Sequence, residues 1–391
     1  MKQLNDLDLN NKRVLIRADF NVPIDEQGAI TDDNRITQSI PTIKTVLEKG
    51  GKAVLMSHLG DPSGKPSSTD SLAPVAKKLS ELLGQDVALA PSCIGAEVES
   101  MVKKLERGSA VLLENLRFHP GEKANDATFG SQIASLGEAY VNDAFATAHR
   151  AHASVVAVPK HFTQKAPGLL MQRELDYYEK ALLHPKRPLC VVLGGSKVST
   201  KLNALINIAN KTDKLIIGGA MANTFLAAQG IQMGRSLYET ELFPKVLELL
   251  VTLARKECKV YLPVDFMVGP SPSAKGLARA VPALEVPPDT MALDIGPATS
   301  LLFREAIHSA ETIVWNGPMG AFENEEYSKG TTDMIESIAG SHALTVVGGG
   351  DTDAAIHHMQ LGHKFSYIST GGGAFLALLE GKSLPAIDAL K

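Results

Sequence analysis

Five turns in the second half of the chain carry glycine where a phosphate would need close backbone approach. They read Gly194-Gly195-Ser196-Lys197, Gly218-Gly219-Ala220, Asn316-Gly317-Pro318, Gly348-Gly349-Gly350-Asp351-Thr352 and Thr370-Gly371-Gly372-Gly373. Glycine lets backbone N–H groups reach an anion with no Cβ in the way, and a helix opening behind the turn adds its dipole. One such turn is ordinary strand-to-helix chemistry; five in one half point to a phosphate-bearing ligand. Lys197 follows a Gly-Gly pair, where its ammonium can reach a phosphate. Lys201 lies one helical turn further on the same face. Asp351 follows three glycines, where a carboxylate suits Mg²⁺ beside a nucleotide; the same place suits a helix N-cap, and the two uses are compatible. Glu323 is an exposed loop carboxylate by default, and its position after Asn316 also suits hydrogen bonds from a ribose. The dinucleotide fingerprint G-x-G-x-x-G is absent. So is G-x-x-x-x-G-K-[ST], since Gly60, Gly64 and Lys65 have the wrong spacing and Pro66 follows the lysine.

The first half has a different chemistry. Its polar clusters carry Arg17, Asp19 and Asn21; Ser57 and His58; Glu114, Arg117 and His119; and Asn142, Asp143, His149, Arg150 and His152, with Arg35 in a loop after the first. Any one of these is most simply a surface arginine or a structural histidine. Together they form a basic pocket for a small, multiply charged anion. His149 and His152 have the spacing of a metal pair but no evident third ligand. His357 and His358 are most simply a solvated helical pair.

These clusters sit at the ends of apolar runs. In the first half the runs are 13–17, 52–56, 110–113, 139–142 and 154–158; in the second they are 189–193, 214–217, 259–262, 312–315, 344–347 and 365–368. Unalternating apolar runs suit strands buried on both faces, hence parallel ones. Amphipathic stretches such as 71–83 and 242–256 lie between them. The alternation predicts an α/β fold of two doubly wound parallel sheets, whose ligands sit at the carboxyl ends of the strands. Residues 169–184 carry Leu170, Leu175, Tyr178 and Leu182 near helical period, and Pro185 and Pro188 close the stretch. A first domain over 1–168, a connecting helix and hinge over 169–188 and a second domain over 189–377 follow. A single large sheet is the alternative, though so many strands in one open sheet are unusual.

The 391 residues carry a formal net charge of -4, with no general pull toward nucleic acid or anionic membrane. Three scattered cysteines suggest neither a disulfide framework nor a zinc site. The first residues lack an apolar leader, and no run reaches membrane-spanning length, so the cytoplasm is expected. No exposed apolar repeat calls for assembly, and a monomer is the default.

The ordered motifs resemble the phosphoglycerate kinases. The chain carries R-A-D-F-N-V-P from Arg17 to Pro23, S-H-L-G from Ser57, E-N-L-R-F from Glu114 and N-D-A-F-A-T-A-H-R-A-H-A-S from Asn142. It continues with L-G-G-S-K-V from Leu193, W-N-G-P-M-G-A-F-E from Trp315, G-G-G-D-T from Gly348 and S-T-G-G-G-A from Ser369. The resemblance spans essentially the whole chain. It implies reversible transfer of the acyl phosphate of 1,3-bisphosphoglycerate to ADP, giving ATP and 3-phosphoglycerate, with Mg²⁺. It implies 3-phosphoglycerate on Asp19, Asn21, Arg35, His58, Arg117 and Arg150. It implies nucleotide on Gly194, Lys197, Lys201, Asn316, Glu323 and the turn Gly349, Gly350, Asp351 and Thr352, with Asp351 toward the metal. Gly349 and Gly372 are implied beside the transferring phosphate, and the tail 378–391 is implied to return to the first domain.

A carboxylate acceptor needs no deprotonation at neutral pH, so no general base is required. Positioning and charge then carry the transfer, with Arg35 and Lys197 as the leading charges, and a hinged closure would unite the two ligands. One position departs from the pattern: Asp61-Pro62 stands where the family usually has Arg-Pro. An anion there implies a weaker hold on the substrate phosphate, and Asp61→Arg is expected to lower KM. Two other classes compete. An oxidoreductase would share the fold class but lacks the fingerprint; a hinged anion-binding protein would leave Lys197, Asp351 and Glu323 without a task.

Overall fold

The computed structural model describes residues 1–391. The strands in chain order are β1 (Arg13–Arg17), β2 (Lys52–Met56), β3 (Val87–Leu89), β4 (Ala110–Leu112), β5 (Ala139–Asn142), β6 (Lys165–Pro167), β7 (Leu189–Leu193) and β8 (Lys214–Ile217). They continue as β9 (Lys259–Tyr261), β10 (Asp265–Gly269), β11 (Arg279–Pro282), β12 (Met291–Ile295), β13 (Thr312–Asn316), β14 (Leu344–Gly348) and β15 (Tyr367–Ile368). Two compact units contain them: Met1–Leu175 with Ser383–Lys391, and Asp176–Lys382.

The first unit holds a six-stranded parallel sheet in the order β3-β4-β2-β1-β5-β6. Neighbouring residues of one strand feed different cores. Val14 and Ile16 join Ala53 and Leu55 on one face, while Leu15 joins Val54 and Met56 on the other. Helices cover both faces, which is why the strand sequences are apolar throughout rather than alternating. The chain leaves β1 toward β2 on one side and β5 on the other, so β1 marks the point where strand order reverses.

The second unit repeats the plan with β15-β14-β13-β7-β8-β9, all parallel. Here order reverses between β7 and β13. Val191, Leu193 and Val314 face one core; Cys190, Val192, Ile313 and Trp315 face the other. A three-stranded antiparallel sheet, β11-β10-β12, is added beside it. The apolar-run criterion misses that sheet, because β10 alternates in burial and β11 is largely exposed.

Two expectations need correction. Residues 154–158 form no strand: the amides of Val155 and Val156 both bond the carbonyl of His152, and that of Val158 bonds Ala153. Their side chains are apolar because Val155 and Val158 are fully buried, not because they join a ladder. The β6 segment takes the edge beside β5 instead. Arg35 is not in a loop but in the first turn of the helix Asn34–Glu48. The helix Leu169–Tyr178 runs on into a π turn over Glu179–Leu183. Within the first unit the closing residues are anchored: Leu390 is buried in its core, and Lys165 Nζ donates to Ala389 O at 2.8 Å.

Candidate functional site

In the first unit the carboxyl ends of β1, β2, β4 and β5 bring the basic residues together. Arg17, the last residue of β1, is 1 % exposed. Its Nε donates to Ser154 Oγ at 3.0 Å, and one terminal nitrogen lies 3.2 Å from His58 Nδ1. Asp19 is buried, accepts from Arg35 at 2.8 Å and lies 3.7 Å from His58 Nδ1. Asn21 Oδ1 accepts from the amide of Gly60 at 2.9 Å, tying the β1 and β2 loops together. Arg117 donates to Gly60 O at 2.6 Å, while its buried Nε has no partner. Arg150 is exposed, its Nε 3.3 Å from His149 Nε2.

The electrostatics are those of an anion site. Burial, and then the charges of Arg17, Arg117, Arg150 and Arg35, hold the His58 ring well below the usual histidine range. His152 is pushed down to about 4 by burial and by Arg117, Arg150, Arg17 and Lys123. Both rings are therefore neutral at pH 7. Four guanidinium groups then face two buried carboxylates, Asp19 and Glu122. Arg17 and Arg117 are buried with those carboxylates, and the more open Arg35 and Arg150 leave the cluster net positive, which an incoming anion balances.

Several supporting residues are not singled out by the sequence, although Asn115 and Ser154 stand inside its motifs. Glu122 is fully buried and accepts from the amide and hydroxyl of Ser154 at 2.8 and 2.6 Å. It thereby fixes the hydroxyl that orients Arg17. Asn115, also fully buried, donates to Leu59 O and Asp70 O and accepts from the Arg117 amide. Asp61 differs from the expectation of an uncompensated repulsive charge: Lys123 Nζ sits 2.9 and 3.1 Å from its two oxygens.

In the second unit three glycine turns lock into one cradle at the carboxyl ends of β7, β13 and β14. The amide of Gly194 donates to Asn316 O, and that of Gly195 to Pro318 O, each at 3.0 Å. A Cβ on Gly194 would stand 2.1 Å from Pro318 O, so no other residue allows this approach. Asn316 Nδ2 donates to Gly348 O at 2.8 Å, and the Gly317 amide to the buried Thr352 Oγ1 at 2.9 Å. Gly349 caps the helix Gly350–His358 with φ +105°, a left-handed backbone that only glycine adopts cheaply. The first amides of that helix have no partner within it. Gly372 opens the helix Gly372–Leu379, and a Cβ there would stand 3.5 Å from Gly349 Cα.

The two lysines differ sharply. Lys197 is exposed. Lys201 is turned inward, donating to Gly194 O at 2.6 Å and Asn316 O at 3.0 Å, so it also braces the cradle. Burial pushes its pKa down to about 8, with Asp351 opposing. Beside the cradle lies a cleft of about 270 Å³. Gly195, Gly219, Pro318, Glu323 and Asp351 line it, and Phe266, Leu293 and Asp294 of the antiparallel sheet close one wall. Asp294 is 2 % exposed and accepts from Gly330 N at 2.6 Å and Ile295 N at 2.9 Å. Burial raises its carboxyl to about 8 despite those bonds. Apolar walls with few polar groups suit a planar base, and the glycine turns suit its phosphates.

A sequence model of the phosphoglycerate kinase family matches residues 4–382. A phosphoglycerate kinase of Desulfotalea psychrophila is 51% identical over 391 residues, covering 100% of both chains. One from Aquifex aeolicus is 50% identical over 386 residues, covering 99% of this chain and 97% of its own. Among solved structures, the phosphoglycerate kinase of Coxiella burnetii superposes with a TM-score of 0.91 at 42% identity, covering 100% of this chain and 98% of that one. That of Pyrococcus horikoshii superposes with a TM-score of 0.83 at 33% identity and the same coverage.

Proposed function

The chain belongs to the phosphoglycerate kinase family, and from that premise we propose which of its residues carry the reaction. The enzyme reversibly transfers the acyl phosphate of 1,3-bisphosphoglycerate to ADP, giving ATP and 3-phosphoglycerate. 3-Phosphoglycerate is bound by Asp19, Asn21, Arg35, His58, Arg117 and Arg150. Nucleotide is bound by Gly194, Lys197, Lys201, Asn316, Glu323 and the turn 349–352. The observation that carries the substrate assignment is the convergence of four guanidiniums, two buried and two open to solvent, around a neutral His58.

Phosphoryl transfer here consumes no proton from the protein. The acceptor is already a carboxylate in one direction and a phosphate in the other, so the residues need only align and neutralise. Arg35 and Lys197 supply mobile positive charge. The amides at Gly349 and Gly372 supply fixed donors for the transferring group. Asp351, exposed beside the cradle, fits Mg²⁺, which binds through one or two carboxylates and otherwise through substrate phosphates. When bound, the ion would supply charge neutralisation on the nucleotide. The two ligands lie on different units, so a hinge motion through 169–188 must unite them and exclude water from the acyl phosphate. We take the working unit to be a monomer, and the small polar metabolites it converts support a cytoplasmic location. No helix is long and apolar enough to cross a membrane.

The test is a coupled assay of ATP-dependent 3-phosphoglycerate phosphorylation, with and without Mg²⁺. Activity that depends on both nucleotide and metal supports the reading; phosphorylation unaffected by metal removal refutes the Asp351 role.

Lys201 gives a pH signature. Its pKa is depressed to about 8 in the free protein. Phosphates of ADP placed beside it favour the ammonium and raise that value. Near pH 8 the site is half protonated before binding and more so after, so ADP binding takes up protons. At about pH 6 the lysine is already charged and contributes no uptake. Calorimetry in buffers of different ionisation enthalpy measures this. Uptake that is equal in Lys201→Met and wild type at pH 8 refutes the assignment.

A further inference from the structure

Position 61 lies at the rim of the basic pocket and is held there on both sides. Gly60 gives its amide to Asn21 and its carbonyl to Arg117, and Pro62 restricts the backbone of Asp61 from the other side. Its carboxylate is near enough to Arg117 for the two charges to interact. Its partner comes from a distant segment: Lys123 ends the short helix Pro120–Lys123, directly after the buried Glu122 that holds Ser154. The ammonium contacts both oxygens of Asp61, and its charge also reaches His152, as do those of Arg117 and Arg150. Lys123 thus shares an electrostatic neighbourhood with two arginines of the pocket.

The pair is loosely held. Side-chain exposure is 49% for Lys123 and 55% for Asp61, and ion pairs this open to water are weak. The two partners are also unequal in mobility. Asp61 is short and braced by its neighbours, while Lys123 carries its charge on a flexible four-carbon stem. A phosphate dianion arriving beside Arg117 and Arg150 brings more charge and more acceptor oxygens than one carboxylate.

We propose that Lys123 is a further ligand of the substrate phosphate, held at the pocket rim by Asp61 until the phosphate takes the ammonium from it. Asp61 then lowers affinity by competing for Lys123, not mainly by repelling the substrate. This rests on 3-phosphoglycerate occupying the basic pocket of the first unit.

Single variants do not separate competition from repulsion, because removing Lys123 also leaves Asp61 unpaired. The decisive comparison is made without Asp61. Steady-state kinetics and calorimetric binding of 3-phosphoglycerate are measured for Asp61→Asn and for Asp61→Asn with Lys123→Met. The expected result is that Asp61→Asn lowers KM. Adding Lys123→Met then raises KM and Kd roughly two- to fivefold, the scale of one exposed charge contact, with kcat within about twofold. Equal affinity in the two variants overturns the proposal, since a lysine that merely neutralises Asp61 has no task once Asp61 is gone. Arg150→Met is the control. If it leaves Kd unchanged, the pocket assignment itself falls and the proposal with it. Both rim residues are exposed, so matching melting curves are expected for all variants.

Discussion

Replacing Arg35 with alanine is expected to lower kcat by roughly 10²- to 10⁴-fold while the protein stays folded, the range for losing a donor or arginine aimed at a transferring phosphoryl group. Arg35 stands in the first turn of its helix, 40% exposed, with its guanidinium parked on Asp19 at 2.8 Å. Alanine is a better helix former than arginine or nearly equal to it, so the helix survives. The ion pair has one buried partner, Asp19, so its loss also lowers stability, by roughly 1–3 kcal/mol. Asp19 is left buried with the amide of Asn21 and the ring of His58 nearby, which limits the local damage. Steady-state kcat and KM, read with a melting curve, check this. A large fall in kcat with a cooperative melting transition retained supports a role in transfer. A rise in KM alone reduces Arg35 to ground-state binding, and near-normal turnover refutes both. Arg35→Lys is expected to recover only part of the loss, since an ammonium cannot reproduce the planar fork.

How far these positions were readable in the sequence depends on the kind of physics each obeys. Arg17, His58, Asn316 and Gly349 follow apolar runs that end abruptly, and a parallel sheet places such ends on one edge. The strand run is a local property, so the residues after it are legible. Asn115 and Ser154 lie inside recognised motifs and Glu122 close to one, but their work lies in hydrogen bonds closed across 32 to 137 residues of chain. Nothing in their spacing announces those partners. Asp61 shows the same limit with opposite sign: the sequence displays the charge and hides Lys123, 62 residues away. The 154–158 run misled because burial alone makes a segment apolar and β-branched, whether or not its backbone joins a ladder. The β10-β11-β12 sheet escaped for the converse reason: β11 is largely exposed and β10 alternates, yet the sheet supplies a wall of the cleft beside the glycine turns.

The second large effect is expected at Lys197, and Lys201 shows why the two lysines must be tested apart. Lys201 braces the cradle through two backbone carbonyls, so its loss disturbs the structure of the cradle itself. Lys197 is exposed, and its turn is held by other groups. Val198 is fully buried, and the Ser199 amide donates to Glu239 Oε2 at 3.0 Å. Lys197→Ala therefore removes a charge and little else. If that charge stabilises the phosphoryl group only as it transfers, kcat falls by roughly 10²- to 10³-fold while KM for nucleotide changes little. If it merely attracts nucleotide, KM rises and kcat holds. The proposed role requires the first outcome, with a melting curve that matches wild type. Lys197→Arg separates charge from shape. A point charge that need only follow a moving phosphate tolerates the guanidinium, with most of kcat restored; a tightly fitted ammonium does not. Near-normal turnover in Lys197→Ala removes it from the mechanism and leaves Arg35 and the glycine amides to carry the transfer.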